Sequence, residues 1–297
     1  MSAAIEEMKT KEIRPQRTSE TRDNRVRHLT THLVLILGAI VILFPIAWMI
    51  STSLKSQSQV IQFPPIWIPK PIVWENYRNA ITIFPVPFWI FGWNSMYLSL
   101  GNVIGSIVSN TIVAFAFARL SFRGSRVLFL LVLSTMMLPQ QVTMIPLFIL
   151  FSKLGWVNTY HPLIVPQFFA NAFYVFMLRQ FFTTIPRDLD DAARIDGCGV
   201  LGLFWRILLP LAAPAVGIIA IFEFTASWNW FLGPLIYLSK METFPLALAL
   251  SYLNASYRVL WSELMVVSFI AMLPPLILFF IAQKAYIQGI VVTGVKG

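Results

Sequence analysis

The sequence predicts an all-α, polytopic membrane protein with six spanning helices, and three observations carry that expectation. Of 297 residues, 57% are hydrophobic and only 12% are charged, about half the ~25% of an ordinary soluble domain. Apolar runs of about 20 residues recur along the chain, each long enough to cross ~30 Å of hydrocarbon. The 22 Lys and Arg residues collect at the N-terminus and in alternate connections between those runs.

Taken in order, residues 1–28 are polar and basic, contain Pro15 and show no apolar period, so they read as a flexible arm. The first span runs from about Leu29 to Leu54 and contains Pro45, which membrane helices tolerate. The loop after it, FPPIWIPKPIVW and onward to about Phe88, is ordered by proline and interfacial aromatics rather than by a core. The second span covers about Trp93–Ala118. The third covers about Ser125–Phe151, with Pro139 and Pro146 in its outer half. His161–Phe182 forms the fourth. A polar connection at 183–210 precedes the fifth, Leu211–Leu238. The sixth runs from Glu263 to Ala285. The membrane-spanning body is thus 29–290, followed by a short tail at 291–297. The first apolar run has no small-residue cleavage site after a short core, so no cleavable signal peptide is expected.

Six spans put both termini on one side. That side receives sixteen Lys and Arg, including Arg119, Arg123, Arg126, Arg179, Arg187, Arg194 and Arg206. The other receives six: Lys55, Lys70, Arg78, Lys153, Lys240 and Arg258. The positive-inside rule therefore places both termini and the 183–210 loop in the cytoplasm. The net charge of +9 is explained by this orientation signal. No basic groove with interleaved aromatics points to nucleic acid. The single cysteine, Cys198, excludes an internal disulfide and a cysteine-based metal cluster. His28, His32 and His161 have no ligand spacing, so no metal site is expected.

The most informative stretch is Pro186–Pro214, PRDLDDAARIDGCGVLGLFWRILLPLAAP. Pro186 suits a first helical turn, where its missing N–H costs nothing. Asp188, Asp190 and Asp191 follow at the positive end of the helix dipole. Ala192 and Ala193 are strong helix formers whose small side chains would let another protein approach closely. Gly197 is a natural stop. A second short helix, about Val200–Leu208, leads through Pro210 into the fifth span.

DAARIDG at 191–197, followed by Ile207, Leu209 and Pro210, resembles the EAA signature of ABC-importer permeases. The resemblance extends along the chain through the six spans, WNWFLGPL at 228–235 and the closing GVKG at 294–297. These are similar to the carbohydrate-uptake subgroup related to the shorter subunit of the maltose permease. Asp191 stands where the family usually has Glu, and Trp230 where relatives often carry an acid. The resemblance implies a type I importer permease fold in the bacterial inner membrane. It also implies a coupling helix that docks in a cleft of an ATPase subunit. Asp191, Ala192, Ala193, Arg194, Asp196 and Gly197 would carry that docking. The implied partners are a second, homologous permease chain, two ATPase subunits and an extracytoplasmic solute-binding protein. Saccharide is the implied cargo, an oligosaccharide or an acidic one such as an alginate fragment.

Within the spans, Ser95, Ser99, Asn102, Ser106 and Ser109 share one helical face, beside a Gly101/Gly105 pair. Small, weakly polar residues glue membrane helices, and the glycines read that way. Asn102 fits packing and substrate pathway equally. Gln167, Asn171 and Tyr174 share a face of the fourth span and suit either hydroxyl recognition or interhelical hydrogen bonds. Glu223, near the middle of the fifth span, is the sharpest signal, because an ionisable group at that depth faces a cavity or a partner. With Trp228, Asn229 and Trp230 nearby, it offers polar groups and flat rings for a sugar. It could equally pair with the partner permease. The outer segment 239–262, with Tyr252, Tyr257, Arg258 and Trp261, suits a binding-protein contact or an interfacial aromatic belt.

No GxxxxGK[ST] pattern, H-E-x-x-H, G-x-S-x-G or Cys/His cluster occurs. The chain is therefore expected to be non-catalytic and to hold no cofactor, with ATP and Mg on partner subunits. An ion-coupled secondary transporter is the rival reading. It would show charged or interrupted helices in matching positions of two halves, and only Glu223 hints at that. A membrane enzyme would need a cluster of reactive groups that the sequence lacks.

Overall fold

The computed structural model describes residues 19–255 and 259–294, with side chains over 27–255 and 259–283, and every regular element among them is helical. Helix α1 spans Ser19–Ser53. It begins ten residues ahead of the expected span, so residues 19–28 of the predicted arm are helical, and residues 1–18 lie outside the described part. The apolar stretch of α1 is not buried within the chain. Its leucines and isoleucines between Leu33 and Phe44 are exposed, as suits a helix bathed in lipid.

A connection stitched at the far end of α1 leads through α2, Glu75–Thr82. The Asn76 amide donates to the Ser53 and Lys55 carbonyls at 2.9 and 2.8 Å. The Ser262 hydroxyl donates to the Lys55 carbonyl, and Gln57 donates to the Glu263 carboxylate at 2.7 Å. Lys55 is buried, with Nζ 3.9 Å from the Trp48 ring centroid. Burial pushes its ammonium pKa down, and the ring face offsets part of the lost hydration.

The centre of the molecule is α3, Trp89–Arg119, a helix of 31 residues. It packs against α6 (Ala172–Thr184) and α8 (Ala213–Trp228), while α10 (Trp261–Gly294) lies against α8 and α1. Lipid gives no hydrophobic drive for helix association, so close packing and hydrogen bonds must supply it. The glycine pair does this as expected. A Cβ on Gly105 would sit 2.8 Å from the Phe168 ring, and one on Gly101 would meet Ile164 at 3.1 Å.

Among the described residues, four helices are long and apolar enough to cross a membrane, and two bent pairs bring the number to six when each pair is taken as one span. The third span is bent by 97° between Ser125–Met137, which contains α4 (Ser125–Ser134), and α5 (Gln140–Lys153). One span, about Ser125–Phe151 with both prolines in its outer half, was expected there. Leu138 is extended (φ −83°, ψ 115°), the conformation imposed on a residue before proline, and Pro139 lacks the N–H that would continue the ladder. The fourth span is interrupted too: His161–Phe169 ends at Ala170, whose φ is +63°, before α6 resumes. The fifth span is shorter than Leu211–Leu238, because α8 stops at Trp228 and a separate short helix covers Leu232–Tyr237. Asn229 caps that stop, its side chain donating to the Thr225 carbonyl at 2.8 Å.

Between α6 and α8, at one end of the bundle, lies α7, Asp188–Ile195. It is followed by Val200–Leu211, which includes a π-helical turn at Leu203–Leu208 and meets α8 at 74°. At the opposite end, α9 (Leu246–Asn254) packs beneath the last connection. Tyr257 and Arg258 lie outside the described residues, as do 295–297 of the GVKG tail.

Candidate functional site

Helix α7 is built from the acidic run and ends where expected. Gly197 has φ +76°, a left-handed conformation that costs a residue with a Cβ about 1–2 kcal/mol. Its N–H bonds to the Arg194 carbonyl, and that of Cys198 bonds to Ala193 at 2.8 Å, closing the last turn.

The helix has two faces. Asp190 and Ala193, three apart, point inward. Asp190 is 5% exposed and forms an ion pair with Nε of Arg119 at 3.5 Å. The same guanidinium donates through Nη2 to the Ile185 carbonyl at 2.8 Å. Arg119 is the last residue of α3, so this pair ties α7 to the central helix. Ala193 packs into a core with Phe115, Phe182, Leu203, Phe204 and Leu208. This corrects the expectation that Ala192 and Ala193 together form an open surface. Ala193 is covered by its own chain, because a helix projects i and i+3 on the same side.

The outward face carries Asp188, Asp191, Ala192 and Ile195, at i, i+3, i+4 and i+7. Asp191 and Arg194 pair at 3.4 Å and are each 68% exposed, so that contact adds little stability. Asp196 is exposed at the C-terminal cap. Ile195 is 87% exposed, and Val200, Leu201 and Trp205 extend the apolar surface beyond Gly197. These four are not among the residues predicted from sequence to dock. The signal was present: unpaired apolar residues in a segment that a membrane protein exposes to water.

The intramembrane polar residues are mostly brought together inside the chain. Ser95, Ser99, Asn102, Ser106 and Ser109 are all buried. Asn102 donates to the Ser227 hydroxyl of α8 at 2.8 Å. Ser109 donates to the Gln167 carbonyl at 2.9 Å. Asn110, which sequence reasoning passed over, accepts from the Asn171 N–H at 2.7 Å. Asn171 itself caps α6, its side chain accepting from the Phe173 and Tyr174 N–H groups. The break at Ala170 separates Gln167 from Tyr174, so the one-face spacing of Gln167, Asn171 and Tyr174 does not hold. Glu223 is buried beside Tyr174 of α6. Trp228 is buried and donates to the Ala271 carbonyl at 2.9 Å. Asn102, Asn171 and Trp228 therefore tie α3, α6, α8 and α10 together, with Tyr174 and Glu223 buried side by side between α6 and α8. Asn229 and Trp230 stand apart, at the break after α8. Trp230 lines a cavity of about 270 Å³ between α5, the start of the fourth span and the Leu232–Tyr237 helix.

The bundle combines two bent spans with a polar helix tied to its central member. Residues 101–292 match the family described as binding-protein-dependent transport system inner membrane component, and the chain belongs to that family. It is 36% identical over 278 residues to the arabinooligosaccharides transport system permease protein AraQ of Bacillus subtilis, covering 92% of this chain and 97% of that one. The sn-glycerol-3-phosphate transport system permease protein UgpE of Brucella melitensis is 32% identical over 275 residues, covering 90% and 97%. Among solved structures, a bacterial ABC transporter involved in import of the acidic polysaccharide alginate matches with a TM-score of 0.75 and 25% identity, over 89% of this chain and 97% of that chain. The family is one of transport permeases, and the ion-coupled alternative is not favoured.

Proposed function

We propose that this chain is one of two unlike permease subunits of a saccharide importer. ATP hydrolysis on two partner ATPase subunits, which hold the ATP and Mg, drives alternating access. The observation that carries this reading is α7. Its inner face is locked to α3 by the Arg119–Asp190 pair, while its outer face presents Asp191, Ala192 and Ile195 to solvent. A force applied to that outer face reaches the spanning helices through a buried contact rather than a slack loop. Arg194, Asp196 and Gly197 complete the docking surface. The charge asymmetry supports placing α7 and both termini in the cytoplasm. The opposite end of the bundle then receives cargo from a solute-binding protein.

The saccharide reading is supported by relatives whose names specify arabinooligosaccharides and alginate. Among the described residues, Asn229 and Trp230 are the two sequence-predicted pathway residues whose side chains make no hydrogen bond to another spanning helix. Affinity purification from native membranes, followed by reconstitution with the solute-binding protein, tests the whole. An ATPase co-purifies, and arabinotriose or trimannuronate enters vesicles only with ATP. Uptake without ATP, or a complex lacking any ATPase, would sink the reading.

A further inference from the structure

The cavity beside Trp230 has a polar lining that the fold does not use. Gln140 and Gln141 open α5 immediately after the 97° bend, and Gln167 lies on the wall formed by the start of the fourth span. Only the backbone carbonyls of Gln140 and Gln167 are engaged, by Thr143 and Ser109 respectively. Among the described residues, none of the three side-chain amides finds a hydrogen-bond partner. Gln140 and Gln141 are exposed and Gln167 is half-buried, so all three amides are open to an incoming polar group. They mark a space that holds water, protein or a polar ligand.

The remaining walls are apolar, mostly aliphatic, with the rings of Phe151, Trp230 and Tyr237 among them. Gly233 allows one face of Trp230 to lie directly on the helix backbone, since a Cβ there would fall on the ring. Tyr237 forms the deep end, stacked on Phe148 with ring centroids 6.0 Å apart. Amides set around an indole match a pyranose or furanose ring, whose hydroxyls need two-way hydrogen-bonding partners and whose C–H faces need an aromatic plane. The volume is slightly below the ~300–1,000 Å³ of typical small-molecule pockets, which suits one sugar ring rather than a whole oligosaccharide. The cavity lies in the half of the bundle away from α7.

We propose that Gln140, Gln141, Gln167 and Trp230 form a subsite for a single sugar ring of the cargo, lying on this subunit rather than solely between subunits. The proposal rests on the saccharide-import reading, and the test separates the two. Gln141→Cys, in a Cys198→Ser background, is assembled into the complete transporter and exposed to a charged methanethiosulfonate reagent. The probe is arabinotriose or trimannuronate, whichever the unmodified transporter imports, delivered by the solute-binding protein to the nucleotide-trapped complex. Labelling is expected to fall about tenfold when saccharide is present. Equal labelling with and without saccharide overturns the subsite. So does an absence of labelling in both, which would mean that a partner side chain fills the cavity. Thr143→Cys, on the same wall, serves if the first variant does not assemble. Failure of the unmodified transporter to import either saccharide overturns the parent reading instead.

Discussion

Two buried polar contacts decide how individual residues behave. Arg119 and Asp190 are nearly inaccessible, so removing one charge strands the other in a poorly solvated site. Arg119→Met is expected to cost about 3–5 kcal/mol, whereas the double change with Asp190→Leu recovers most of that loss. A double-mutant cycle by thermal unfolding in detergent checks both values. If the single change were silent, the pair would not be holding α7. Glu223 is a different case. Its buried neighbour is Tyr174 of its own chain, and an uncharged amide of the same shape fits beside that ring. Glu223→Gln should stay within about 1 kcal/mol of the parent, while Glu223→Ala takes away the polar group that faces the buried Tyr174 and costs about 1–3 kcal/mol. Loss of transport in a stably folded Glu223→Gln variant would restore a pathway role for this group. From sequence, Glu223 was recognisable as a costly buried acid, but its partner was not. Tyr174 lies 49 positions earlier in the sequence, and only the packing of α6 on α8 joins them.

At the scale of elements, α7 was readable almost residue by residue. Proline, acids, alanines and glycine each specify a position along a short helix, and local chemistry suffices for that. Which side of the helix faced the core was not readable, because eight residues make barely two turns and the decisive anchor is Arg119. The spans were located well where they are straight and poorly where they break. Pro139 gave warning of the bend in the third span, but a proline inside a membrane helix often does no more than kink it, as Pro45 and Pro146 remain inside helices here. The end of α8 at Trp228 carried no breaker residue at all. Two substitutions test the role of α7. Ile195→Asp puts a charge on the outer apolar surface without touching the core, and is expected to reduce ATPase recovery in pull-downs at least tenfold while the chain stays in the membrane. Gly197→Pro demands φ near −65° where the backbone has +76°, and is expected to abolish transport at normal membrane levels. Full uptake by either variant would argue against docking through this helix.

For the molecule as a whole, the count of basic residues predicts an orientation that labelling can check. In a Cys198→Ser background, Asp196→Cys should react only after the membrane is opened from the cytoplasmic side, and Lys153→Cys should react with impermeant reagent added outside. The reverse pattern would invert the topology. One further consequence comes from α3, which carries no interior proline and whose 31 residues at 1.5 Å each make a rod of roughly 46 Å. Its final residue grips α7 through Asp190. Near its other end, Asn94 donates to the Glu242 and Phe244 carbonyls, and Ser95 accepts from the Leu246 N–H. The rod is therefore pinned at both water-facing ends of the bundle. A tilt of about 5° imposed at Arg119 would swing the opposite tip by about 4 Å over that length, drawing the Glu242–Leu246 segment with it. Motion begun in one aqueous compartment would be felt in the other as the stroke of a lever, with no hinge in between to absorb it.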